Sequence, residues 1–137
     1  MDVMDVMDVM GVMDVEGTAS QHMSKAEELE IQTEDIPDGI IVRPTGEIDL
    51  SCASLLRQRL GKIQESQPAR LVIDLSAVPY MDSPGVATLV EAMQIARRTG
   101  SKLVLCALQQ KVRSIFEIAR LDMVFSIVGS VEEASAL

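Results

Sequence analysis

Residues 70–89 read RLVIDLSAVPYMDSPGVATL, and the passage from an apolar run into a helical pattern within them decides the fold. Arg70 to Leu75 is almost continuously apolar, the mark of a strand covered on both faces in the middle of a sheet. Val86, Leu89, Val90 and Met93 then recur at helical spacing. That helix is expected to stop at Arg97-Arg98-Thr99-Gly100, with basic side chains in its last turn and a glycine beyond them. Lys102 to Cys106 reads as a second buried strand. Strands separated by helices require parallel neighbours joined by right-handed crossovers.

The same alternation extends in both directions. Leu29 to Thr33 alternates apolar and polar as a half-buried strand does. Asp35 to Gly39 is a turn cluster, and Ile40 to Pro44 is a second strand, so the two form a hairpin. After a break at Thr45 to Asp49, Ser51 is expected to cap a helix running to about Gln64, with Ala53, Leu56, Leu60 and Ile63 on its apolar face. Downstream, Gln109 to Arg120 reads as a helix with Val112, Ile115, Phe116 and Ala119 inward. Val124 to Val128 reads as a short last strand. Val131 to Leu137 reads as a terminal helix, opened by the capping box of Ser130 and Glu133. The element order is β-β-α-β-α-β-α-β-α. The fold class is α/β, a single domain with a mixed, mostly parallel sheet of about five strands and about four helices.

The folded unit is expected over residues 27–137, and residues 1–26 as a low-complexity, disordered tail. Residues 1–15 repeat the triplet Met-Asp-Val with one substitution. A period of three gives no apolar stripe on a helix, and aspartate recurs too often for a buried strand. Methionines at every third position offer thioether ligands to a soft metal such as Cu(I), the sharper of the two readings. Met23-Ser24-Lys25 reads as a natural start, which makes residues 1–22 an upstream extension.

The formal net charge of −9 and the lack of a basic stripe argue against direct nucleic-acid binding. The apolar runs are too short for membrane insertion, and no secretory leader is legible. Cys52 and Cys106 are read as reduced, buried thiols, which agrees with a cytoplasmic protein. The only histidine, His22, lies in the tail, so no zinc site and no Ser–His pair is expected in the folded unit.

The turn at Asp82-Ser83-Pro84-Gly85 carries the functional question. Pro84 suits the first helical position, which makes Ser83 the expected N-cap. Gly85 leaves room for another molecule to approach the backbone. Ser83 then sits at the carboxyl end of a central strand, where open α/β sheets place their ligand surfaces. Three readings remain. Ser83 is a cap and no more; or its hydroxyl is a phosphate acceptor at the positive end of a helix; or it is a nucleophile. The last lacks both the G-x-S-x-G turn and a base.

The run LVIDLSAVPYMDSPGVATLVEAMQIARRTGSKLVLCALQQKVRSIFEIARLDMVF, with IIVRPTGEIDLSCASLLRQRL before it, resembles a STAS domain of the bacterial anti-sigma factor antagonist kind. The resemblance covers about Leu29 to Ala136. It implies a non-enzymatic partner switch without a cofactor. The unmodified protein binds an anti-sigma factor that is also a serine kinase, and a sigma factor is released. The kinase phosphorylates the serine after the signature aspartate, here Ser83, and a serine phosphatase resets it. Asp49, from the T-G-E-I-D element, and Asp82, Pro84 and Gly85 are expected in the docking surface. Family members usually carry Ser or Thr after the acceptor, where this chain has Pro84. The alternative is a STAS subunit that only scaffolds a stress-sensing complex or a membrane transporter.

Overall fold

The structure, a computed structural model, describes residues 29–137; the Met-Asp-Val repeat, His22 and Met23 lie outside them. Strands β1 (Glu30–Ile36) and β2 (Gly39–Thr45) form the expected hairpin. Only Pro37 and Asp38 separate them, a tighter connection than the turn cluster suggests. Next come α1 (Ala53–Glu65), β3 (Arg70–Asp74), α2 (Ser83–Thr99), β4 (Lys102–Cys106), α3 (Gln110–Ile118), a single 3-10 turn (Leu121–Met123), β5 (Ser126–Val128) and α4 (Val131–Ala136). The sheet order is β1-β2-β3-β4-β5, parallel throughout except for β1. This is the mixed α/β sheet read from the sequence.

Alternate residues of the central strands serve two cores. Leu71, Ile73, Leu103 and Leu105 face one way and cluster with Leu56 and Leu60 of α1, Leu89 and Met93 of α2, and Val112 and Phe116 of α3. Phe116 meets Phe125 edge to face at 5.5 Å, a favoured aromatic geometry. Val72, Val104 and Cys106 face the other way, with Ile41 of β2, and cluster with Ala134 and Val131 of α4 and with Ile36 and Val128 of the outer strands. Both faces of β3 and β4 are thus covered, which is why their sequences read as unbroken apolar runs.

Two element ends here differ from their sequence reading. Cys52, and not Ser51, is the N-cap of α1, and its side chain makes no capping bond to the helix; Ser51 turns back to Asp49 instead. Helix α3 stops at Ile118, because Arg120 adopts a left-handed backbone with φ 60° and no glycine announces it. Ala119 therefore lies exposed at the helix end and not in the core. By contrast, Gly100 ends α2 with φ 76° as expected, and Ser130 accepts the Glu133 N–H at the start of α4.

Candidate docking surface at the amino end of α2

Two loops at the carboxyl edge of the sheet build this surface: residues 46–52 before α1 and 75–82 before α2. They run side by side like a short extra pair of parallel strands. Ile48 bridges Met81; Gly46 N–H donates to the Ala77 carbonyl, Ile48 N–H to Tyr80, and Asp82 N–H to Ile48. Gly85 is buried against this pair. A Cβ there would lie 2.4 Å from the Ile48 carbonyl oxygen. The missing side chain of Gly85 thus makes room for the chain's own backbone, where the sequence reading gave that space to a partner.

The N-cap of α2 is Asp82, not Ser83. Asp is as good a cap as Ser, and Asp82 has a second oxygen to use. Its Oδ1 accepts the Gly85 N–H at 3.1 Å, and its Oδ2 accepts the Leu50 N–H at 2.9 Å. One carboxylate therefore both caps α2 and fastens the loop before α1. Burial raises the Asp82 pKa; the Gly85 and Leu50 N–H groups oppose that rise, and the charge of Asp49 adds to it. Asp49 is half-buried and accepts from the Ser51 N–H and hydroxyl. The Cys52 thiol beside it is buried, and burial pushes its pKa up. That disfavours the thiolate, so this cysteine is not an activated nucleophile.

Ser83 is the first residue of the helix and Pro84 the second. Ser83 is exposed, and its hydroxyl has no hydrogen-bond partner among the described residues. The donors at this helix tip are largely committed: Pro84 has no N–H, Gly85 donates to Asp82, and Val86 N–H donates to the Asp82 carbonyl. The tip is accordingly a poorer anion site than an open helix N-terminus would be.

Beside Ser83 lies an apolar groove of about 460 Å³ between the start of α2 and the end of α3. Tyr80, Met81 and Val86 form one wall, and Ile115, Ile118 and Ala119 the other. Ile118 is 84% exposed. Sequence reasoning missed this groove. Its signal was Ile118, an apolar residue three positions after Ile115 and outside the set Val112, Ile115, Phe116 and Ala119 read as inward. Among the described residues no group of three potential metal ligands converges, and no helix is long and apolar enough to cross a membrane.

Residues 30–134 match the STAS domain family. The anti-sigma-B factor antagonist of Listeria monocytogenes is 35% identical over 99 residues, covering 72% of this chain and 86% of that protein. An anti-sigma factor antagonist from Mycobacterium paratuberculosis superimposes with a TM-score of 0.74 at 26% identity, over 80% of this chain and 93% of the other. SpoIIAA of Bacillus, solved in its phosphorylated form, shares the fold at a TM-score of 0.63 and 18% identity, over 78% of this chain and 97% of its own. The chain belongs to the STAS domain family and is similar to those of its members named anti-sigma factor antagonists.

Proposed function

We propose that this protein is an anti-sigma factor antagonist, active as a docking module and not as an enzyme, and switched by phosphorylation of Ser83. The observation that carries the reading is an exposed, unpartnered hydroxyl on the rim of an apolar groove, at the carboxyl edge of the sheet. The groove accepts apolar side chains of an anti-sigma factor that is also a serine kinase. Asp82 lines it beside Ser83; Asp49 and Pro84 extend the docking surface on the loop before α1 and at the tip of α2, and Gly85 contributes by holding the two loops together. The kinase transfers the γ-phosphoryl group of ATP to Ser83 Oγ. ADP leaves, and a base of the kinase takes the hydroxyl proton, because no histidine stands among the described residues. The product carries about two added negative charges next to Asp82 and Asp49. Like-charge repulsion and the lost fit expel the partner, and a serine phosphatase restores the hydroxyl by hydrolysis. Such a cycle operates in the cytoplasm, beside the sigma factor.

The test uses the parent and two variants with the anti-sigma kinase. Ser83→Ala should bind it at least as tightly as the parent and take up no phosphate, read by intact mass. Ser83→Asp should bind at least tenfold more weakly, since truncating or adding charge at such an interface shifts affinity by more than about 1.4 kcal/mol. Phosphate uptake by Ser83→Ala, or parent-like binding by Ser83→Asp, would refute the switch.

A further inference from the structure

The donor inventory at the tip of α2 bears on what a phosphate there would do, given the reading that Ser83 is the acceptor. A phosphoryl group on Ser83 finds one free backbone donor, the N–H of Ser83 itself, since Pro84 has none and Gly85 and Val86 are engaged with Asp82. No basic side chain lines the adjoining groove. The Gly85 N–H lies two residues on, in the same first turn of α2, and the end of a helix favours the more highly charged acceptor. Asp82 competes for it from a half-buried position beside a second carboxylate, Asp49. Once Asp82 loses Gly85, it stands against a dianion and is driven away from both bonds, including the one to Leu50.

We propose that Pro84 makes this modification a conformational switch: denied a Pro84 N–H, the phosphate takes the Gly85 N–H from Asp82, and Asp82 then releases Leu50 and the Asp49–Cys52 turn. The docking surface changes shape as well as charge. A residue with an N–H at position 84 would supply the phosphate directly and leave Asp82 in place.

The experiment needs no kinase. Phosphoserine is incorporated at position 83 during translation of the full chain, and amide hydrogen exchange is followed residue by residue by NMR. In the parent background, the Leu50 amide should exchange about tenfold faster or more after modification, the scale of one charge-assisted bond. The Leu89 amide, within α2, should keep its rate. In Pro84→Ala carrying the same phosphoserine, Leu50 should change by less than about twofold, because a restored N–H competes for the phosphate. Unchanged exchange at Leu50 in the phosphorylated parent, or equal acceleration in Pro84→Ala, overturns the inference. Binding of the anti-sigma kinase to the same samples judges the functional reading separately: undiminished affinity of the phosphoprotein would refute the switch, whereas loss of affinity with Leu50 still protected would refute only the conformational part.

Discussion

Asp82 offsets part of its burial by accepting two backbone N–H bonds, one from the first turn of α2 and one from the loop before α1. Burial still dominates, and the carboxyl pKa is raised from its ordinary 3.8. An acid whose folded-state pKa lies above the unfolded one gives stability that is complete below the unfolded value and is lost as pH rises through the folded value. Asp82→Asn does not titrate. Its stability relative to the parent should therefore rise as pH increases from about 3.5 toward 7, read as urea midpoints across that range. A difference independent of pH would mean that Asp82 is not strained by burial. Gly85 is constrained by shape alone. Gly85→Ala drives a methyl into the Ile48 carbonyl, and overpacking of this kind costs about 1–3 kcal/mol. Urea denaturation of Gly85→Ala should show that loss, and a parent-like midpoint would mean the two loops move apart easily. The sequence exposes Ser83 as a hydroxyl at a turn, but it hides the bond from Asp82 to Leu50. Those residues are 32 positions apart, and no local pattern links them.

At the scale of elements, α3 shows why periodicity finds a core more readily than a surface. Val112 and Phe116 are fully buried, and their spacing made the helix legible. Ile115 is half-buried and Ile118 exposed, so the same helix presents an apolar edge to solvent next to Ser83. The helix end at Ile118, which shapes that edge, depends on the left-handed backbone of Arg120. An arginine is an unusual residue for that conformation, so the sequence carried no stop signal there. Ile118→Glu follows directly. With the residue already 84% exposed, the substitution should leave the stability within about 0.5 kcal/mol of the parent. It also places a charge in the groove, and if the proposed function holds, affinity for an anti-sigma kinase should fall at least tenfold by titration calorimetry. Unchanged affinity would move the docking surface away from α3.

Across the whole molecule, the two faces of the sheet are covered unequally. Among the described residues, three helices pack on one face, while the other has only the six-residue α4. So short a helix has little intrinsic stability and depends on its attachments. Ser130 and Glu133 supply some of these, the Ser130 hydroxyl accepting from Glu133 N–H and the Glu133 carboxylate from Gly129 N–H. Arg70 supplies the rest. Its Nη1 donates to the Ala134 carbonyl and its Nη2 to the Leu137 backbone oxygen, both at 2.7 Å, while Nε pairs with Asp38 at 2.9 Å. The side chain is only 13% exposed. One guanidinium thus ties the β1–β2 turn, the start of β3 and the last helix together. In the sequence Arg70 reads as a charge at the mouth of a strand, because partners 64 and 67 residues away leave no trace in local spacing. Arg70→Met keeps the aliphatic stem and removes all three bonds. The expected loss is about 3 kcal/mol, since bonds from a charged donor contribute about 1.5–3 kcal/mol each and only the two to α4 are counted, the Asp38 end being open to water. Exchange at the Ala134 amide should accelerate with it, while Val72 and Val104 in the central strands stay protected until global unfolding. If Ala134 remained as protected as Val72, α4 would be held by Val131 and Ala134 packing on the sheet, and Arg70 would be a surface charge after all.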